Sequence, residues 1–245
     1  MNLPECDVCG PSCKDGLCVR KVPIFSALDY DELLKISALV THREYQKGEA
    51  ILREGEKPDC VFIVNQGSVK AFRYTQDGRE QILYIFTEGD FFGEQYLTGD
   101  KAAAYNVEAL EPVKSCMLTK SDFRKLLAGY PDIAIKIIGT LEDRLTYMEQ
   151  SLQSRGGRSV DARIASLIIN YADTYGTPDR EGTLIKLPLS REGMANYLGI
   201  ARETISRKFS QMENEKLIRS VSNKSILLLD RPALETLSGL TKIVL

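Results

Sequence analysis

The chain has no tryptophan, a single histidine and no long hydrophobic run. A membrane-spanning helix needs about 20 consecutive apolar residues, and no segment approaches that length. The first 18 residues are polar and lack the apolar centre of a secretion signal, so we expect a cytoplasmic protein with no membrane partner. Because His42 is the only histidine and no phosphate-binding glycine loop is present, we expect a protein that is not an enzyme.

Cysteine is scarce over most of the chain but crowded at its start. Four of the six cysteines lie in the stretch CDVCGPSCKDGLC, at Cys6, Cys9, Cys13 and Cys18. Cytosolic thiols stay reduced, so such a group indicates metal binding or redox sensing more than disulfide formation. The residues leave four alternatives open: an iron–sulfur cluster, a zinc site, a reversible thiol–disulfide switch, or plain structural or incidental cysteines.

The net charge of -2 conceals an asymmetry between two parts of the chain. Residues 1–154 carry 18 Lys and Arg against 24 Asp and Glu, whereas residues 155–232 carry 13 against 9. We therefore expect the second part to be the one that meets a polyanion.

Residues 41–119 contain short β-rich runs separated by turn residues, which predicts an antiparallel roll or barrel. Asp77-Gly78 between two such runs is a strong hairpin signal, whereas Cys60 at the start of a run is expected to be a buried core thiol. Helices follow, the first with Ser121 as its predicted cap and the second starting at Pro131.

An apolar stripe runs along the second of these helices at spacings of three, four or seven residues. Its members are Ile133, Ile137, Ile138, Leu141, Leu145, Met148 and Leu152. A stripe of this length predicts a coiled-coil-like seam between two copies of the chain, and the alternative is packing on the chain's own roll. The segment SRGGRS at 154–159 is a predicted hinge.

The segment from Leu189 to Ile218 predicts two short helices around a tight turn at Gly199, with Ser190 as the first cap. On the second helix, apolar residues face inward and leave five polar side chains outside: Arg202, Glu203, Ser206, Arg207 and Ser210. The first four of these are the predicted DNA-binding residues. Arginine can bind guanine through two hydrogen bonds, glutamate can accept from cytosine, and serine can contact any base or phosphate. The pattern is typical of a recognition helix for double-stranded DNA, followed by a two-stranded wing turning at Asn223-Lys224.

With a roll, a long helix and a winged helix-turn-helix in this order, the sequence resembles the CRP/FNR superfamily of bacterial regulators. The stretch GDFFGE at 89–94 is similar to the roll signature of that family, and NYLGIARETISRKF at 196–209 to its recognition element. The resemblance implies a transcriptional regulator that binds DNA as a homodimer and recruits or blocks RNA polymerase. The implied fold class is α+β, with an antiparallel β-roll like that of cyclic-nucleotide-binding domains.

Glu203, Ser206 and Arg207 match the E-x-x-S-R pattern of the FNR branch, whose members bind TTGAT-type half-sites in an inverted repeat. Arg202 differs from that branch and is similar to the cyclic AMP receptor branch, which leaves the outermost bases of the site open. Two-fold symmetry would place the two recognition helices about 34 Å apart, which is one turn of DNA.

The resemblance also bears on the signal. In members that bind cyclic AMP, a glutamate contacts the ribose and an arginine–serine pair contacts the cyclic phosphate. Glu94 matches the glutamate, but Ala103 and Ala104 stand at the other two positions, where a buried phosphate would lack a paired cation. We therefore do not expect cyclic AMP, nor haem, for which His42 is the sole histidine available.

The FNR branch holds an oxygen-labile [4Fe–4S] cluster with three cysteines near the N-terminus and one from the roll. Cys116 matches the roll cysteine and Cys18 the last N-terminal one, so these are the firmest ligands that the resemblance implies. The usual C-x2-C-x5-C run is not kept, because the gaps after Cys6 are two, three and four residues. Cys6 and Cys9 are favoured over Cys13 for the remaining places.

Four segments are predicted: a cysteine-rich segment at 1–22, a β-roll sensor domain at 23–130, a dimerisation helix and hinge at 131–158, and a winged helix-turn-helix at 159–245. The rival interpretation is a binding module whose roll senses a small ligand while its helical part docks on a protein. Specific retardation of an inverted-repeat DNA would distinguish the two interpretations.

Overall fold

The structure is a computed structural model, and it describes residues 18–97, 99, 101–157 and 159–239. Backbone packing divides the chain into two compact units, Met1–Leu145 and Thr146–Leu245. The four-segment division expected from the sequence stays a prediction. No helix among the described residues is both long and apolar enough to cross a bilayer.

Eight strands form the roll of the first unit. They are β1 (Thr41–Tyr45), β2 (Ala50–Leu52), β3 (Cys60–Gln66), β4 (Val69–Tyr74), β5 (Glu80–Phe86), β6 (Phe91–Phe92), β7 (Asn106–Ala109) and β8 (Val113–Thr119). They pair in two four-stranded antiparallel sheets, in the orders β1-β8-β3-β6 and β2-β7-β4-β5. The predicted antiparallel roll is confirmed.

Glycines set the tight connections of the roll. Gly78 has a φ of 76° and closes the β4–β5 hairpin, where its N–H donates to the carbonyl of Thr75 over 2.9 Å. Gly67 has a φ of 88° between β3 and β4, and a Cβ there would lie 2.5 Å from the carbonyl oxygen of Pro112. A side chain at that position would meet both backbone strain and a backbone clash.

Three helices belong wholly or partly to the first unit: α1 (Tyr30–Ser37), α2 (Lys120–Gly129) and α3 (Pro131–Gly157). Asp29 and Glu32 form a reciprocal capping box at the start of α1. The predicted cap of α2 was wrong, because Thr119 has the extended backbone that a cap needs and its Oγ1 accepts from the N–H of Asp122. Ser121 lies inside the helix.

The apolar stripe of α3 divides between two environments. Ile133 and Ile137 are buried in a core cluster of the first unit, so the start of the stripe does pack on the chain's own roll. Ile138, Leu141, Leu145 and Met148 are exposed, and Leu145 is 57% exposed. These four retain the heptad spacing of a helix–helix seam, whereas the side chain of Leu152 lies outside the described part.

After α3, the described residues of the second unit form four helices and one four-stranded sheet. Its elements after α3 are α4 (Val160–Tyr175), β9 (Gly176–Asp179), β10 (Gly182–Lys186), α5 (Arg191–Leu198), α6 (Arg202–Asn214), β11 (Ile218–Ser222), β12 (Ser225–Leu228) and α7 (Arg231–Ser238). The sheet has the order β11-β12-β10-β9. The sequence predicted β11 and β12 but missed β9 and β10.

Candidate functional site

The turn between α5 and α6 orients the second helix for contact with a partner. Ser190 caps α5 as predicted, with its Oγ accepting from the N–H of Gly193 over 3.1 Å. Met194 and Ala195 are buried, and Gly199 ends the helix with a φ of 64°. A left-handed residue at this position turns the chain sharply, so only three residues separate the end of α5 from the start of α6.

The predicted faces of α6 are present. Ile205, Phe209 and Met212 are buried on the inner side. The outer side carries the exposed side chains of Arg202, Glu203, Ser206 and Arg207. Within the part of the chain that the structure describes, Arg202, Glu203 and Arg207 form no ion pair, so their charges are available to an external partner.

Two basic residues that the sequence reasoning missed hold α6 in place. Lys208 lies between the faces and binds Asp161 of α4, with 2.7 Å between Nζ and Oδ1. Arg191 lies over the ring of Phe209 at 3.4 Å from its centroid, and burial lowers the pKa of its guanidinium to about 10. Neither contact can be recognised from neighbouring residues in the sequence. The Lys208–Asp161 pair, for example, spans 47 positions.

The wing turns at Asn223-Lys224 between β11 and β12, as predicted. A bulge between Ser220 and Ser222 leaves Val221 exposed. The N–H of Ser220 donates to Glu213 of α6 over 2.7 Å, so the wing is tied directly to the recognition helix.

Inside the roll, Glu94 meets a cation supplied by α3. Its Oε1 lies 3.4 Å from Nη1 of Arg144, whose Nη2 donates to the carbonyl of Phe91 over 2.7 Å. The guanidinium also covers the rings of Phe86 and Phe91. Burial raises the pKa of Glu94, and Arg144 opposes that rise. No hydrogen-bond partner of Oε2 occurs among the described residues.

The positions expected to replace a phosphate-binding pair offer no cation or hydroxyl. Ala103 is buried, and its N–H and carbonyl are used by the backbone of Glu56 and Gly55. Ala104 and Lys101 are exposed. A cyclic phosphate placed here would have no buried positive charge from these three side chains.

Cys116 lies in β8, between β1 and β3, and is only 1% exposed. It belongs to the same core cluster as Val19, Ile133 and Ile137. Its Sγ lies 3.4 Å from Nδ1 of His42, its partner in the β1–β8 register.

The other cysteines are placed less completely. Cys18 begins a 3-10 turn, Cys18–Lys21, and its side chain is outside the described part. Cys6, Cys9 and Cys13 also lie outside the described residues, which contain no grouping of three metal-ligating side chains. Cys60 is half-buried rather than fully buried, because it stands at the first position of β3, and burial raises its pKa to about 11.

Two protein families match the chain, one over the roll and the other over the helix-turn-helix part. The family described as the cyclic nucleotide-binding domain matches residues 42–130, and the Crp-like helix-turn-helix domain matches residues 162–237. The chain belongs to the CRP/FNR family of transcriptional regulators. Members of this family bind DNA, act as dimers and are not enzymes. This excludes the rival interpretation, in which the helical part of the chain docks on a protein.

Individual relatives support the same placement. The transcriptional activator FnrA of Stutzerimonas stutzeri is 27% identical over 234 residues, covering 93% of this chain and 92% of its own. The structure of FixK2 from Bradyrhizobium japonicum has a TM-score of 0.71 at 25% identity, covering 81% of this chain and 96% of its own. That of a CooA mutant from Carboxydothermus hydrogenoformans, at 20% identity, has a TM-score of 0.74 and covers 89% and 95%, which shows a shared fold.

Proposed function

We propose that this CRP/FNR regulator is switched by an oxygen-labile [4Fe–4S] cluster and binds a TTGAT-like inverted repeat as a dimer. The observation that carries the proposal is the position of Cys116. Its buried sulfur shares one core cluster with Val19, the residue directly after Cys18. The backbone that directly follows Cys18 therefore packs into the same core cluster as Cys116.

The donor chemistry suits a cubane cluster. Thiolates are the usual ligands of iron–sulfur clusters, and a [4Fe–4S] cluster takes four of them. Cys18 and Cys116 would supply two, Cys6 and Cys9 the other two, with Cys13 as the spare. When bound, such a cluster supplies iron–sulfur bonds that oxygen can break. We expect neither cyclic AMP nor haem as the signal.

The residues around Cys116 link the ligands to α3. Ile133 and Ile137, which begin the apolar stripe, lie in the same cluster as Cys116 and Val19. Tying Cys18 to Cys116 holds the N-terminal segment against this cluster and favours one packing of α3. Loss of the tie shifts the population towards a form that binds DNA poorly.

The exposed part of α3 provides the dimer seam of the proposal. Ile138, Leu141, Leu145 and Met148 lie at a/d spacing, and pairing two such faces removes their apolar surface from water. The dimer then presents two copies of α6 to successive major grooves.

In the proposal, base reading rests on four of the exposed side chains of α6. Arg207 and Glu203 are placed one turn apart on the same face, where they suit guanine and cytosine edges. Ser206 suits a base or a phosphate, and Arg202 would extend contact to the outermost bases. We propose that the bound dimer acts by recruiting or blocking RNA polymerase.

The deciding experiment is an absorption spectrum, with iron and sulfide content, of protein purified without oxygen. A broad band near ~400 nm that bleaches in air, with iron and sulfide in comparable amounts, is the expected result. A colourless protein with one zinc, or with no metal, would refute the cluster and leave a zinc site or a thiol switch.

A second assay tests the DNA half of the proposal independently. Gel retardation with a TTGAT inverted repeat, run without oxygen, should show a complex that a scrambled duplex does not compete away. Equal competition by the scrambled duplex would refute sequence-specific binding of this repeat.

A further inference from the structure

The sole histidine of the chain lies against the proposed roll ligand. His42 in β1 and Cys116 in β8 face each other in the antiparallel register. The ring Nδ1 lies 3.4 Å from Sγ, within hydrogen-bond range for sulfur. The two residues are 74 positions apart, so only the pairing of β1 with β8 brings them together.

The apolar surroundings of the Cys116 sulfur strengthen its contact with His42. Cys116 pairs on its other side with Ile63 of β3, and both belong to an apolar core cluster. His42 is itself partly buried. In apolar surroundings a hydrogen bond is electrostatically stronger than in water, and one to an ionised acceptor is stronger again.

We propose that His42 is a positioning residue for the Cys116 ligand, with its ring N–H donating to the ligand sulfur. This inference rests on the proposed cluster. The hydrogen bond fixes the orientation of the Cys116 side chain and withdraws electron density from the sulfur. Hydrogen bonds to sulfur are one of the means by which a protein tunes an iron–sulfur centre, and here the effect is to slow oxidation.

The chain offers matched variants for testing this role. His42→Leu removes the donor and keeps an apolar side chain beside the core. His42→Asn keeps an N–H donor at the same reach, because Asn Nδ2 is bonded to Cγ as His Nδ1 is. Thr41→Val is the control, because it removes the hydroxyl of the neighbouring residue in β1, whose Oγ1 contacts the carbonyl of Met117 rather than the sulfur.

The full chain and the three variants are purified without oxygen and assayed for iron, sulfide and the rate at which a fixed dose of oxygen bleaches the spectrum. Thermal unfolding of the metal-free proteins checks that each variant folds. We expect His42→Leu to bleach about 3- to 10-fold faster than wild type, with His42→Asn and Thr41→Val close to wild type.

Other outcomes overturn the inference in distinguishable ways. Equal bleaching rates for wild type and His42→Leu would show that the contact does not tune the cluster, and equally fast bleaching of both His42 variants would exclude the donor role. If the wild type contained iron and sulfide and both His42 variants contained neither, His42 would be a ligand of the cluster instead. A wild type without iron would refute the proposed function, and this inference with it.

Discussion

Replacing Arg144 by alanine should destabilise the first unit through the charge it leaves behind. Glu94 would remain in the roll interior without its cation, while the hydrogen bond to Phe91 and the contact with two aromatic rings are also lost. Removing one partner of a buried ion pair costs about 3–5 kcal/mol. The two side chains retain 19% and 17% exposure, so solvent relieves part of that penalty, and we expect a loss of about 2–4 kcal/mol.

A matched pair of changes separates the charge from the packing. Arg144→Met keeps a long side chain over the rings, and combining it with Glu94→Gln removes both charges. The double variant should recover much of the stability that Arg144→Met loses, because no unpaired charge remains. Since the chain has no tryptophan, urea unfolding is followed by the circular dichroism of its 11 tyrosines. Additive losses in the double variant would refute the coupling.

The stability lost in Arg144→Ala should depend on pH in a definite direction. The pKa of Glu94 is already raised by burial, and removing Arg144 removes the group that lowers it. A carboxyl with a raised folded-state pKa contributes stability below its unfolded value of about 4.5, and this contribution is lost as pH rises through the folded pKa. The deficit of Arg144→Ala relative to wild type should therefore be largest near neutral pH and shrink towards pH 5. A deficit that grows on acidification would contradict this.

Four further predictions concern the dimer, the core, the DNA and the ligand. Leu145→Lys should abolish the dimer in sedimentation experiments without lowering monomer stability, whereas Ile133→Ala should cost about 2–5 kcal/mol of folding free energy because that side chain is fully buried. Arg207→Ala should cost about 1–3 kcal/mol at the preferred DNA site, and an equal loss on random DNA would mean a phosphate contact only. Cys116→Ala should bind DNA without oxygen as weakly as air-treated wild type, and wild-type affinity would refute the cluster mechanism.

The parts of the fold that depend on local signals could be predicted from the sequence. Asp77-Gly78 marks a hairpin because glycine adopts the positive φ that the turn needs. Gly199 and the spacing of Ile205, Phe209 and Met212 define the turn and the inner face of α6 by local geometry alone. The exposed face of the recognition helix then follows by exclusion.

Features set by distant partners could not be predicted in this way. β9 and β10 are short, and the GTPD sequence of β9 has little β-propensity, so its pairing with β10 defines it. The helical period of α3 identifies apolar positions but does not say that Ile133 meets the roll while Leu145 meets solvent. The contact of His42 with Cys116 likewise depends on a strand register across 74 positions.

These distant contacts also indicate how a signal reaches α3. Glu94 is paired with Arg144 of α3, and Ala103 and Ala104 provide no charge for a phosphate, which is why the proposal does not use cyclic AMP as the signal. A separate core cluster of the first unit contains Cys116, Val19 and the first two residues of the α3 stripe. Because interiors are close-packed, the proposed mechanism has a change at Cys116 reach Ile133 and Ile137 through this cluster. In the proposed mechanism, the cysteine stretch would act on α3 through this core cluster, which contains both Cys116 and the first two residues of the stripe.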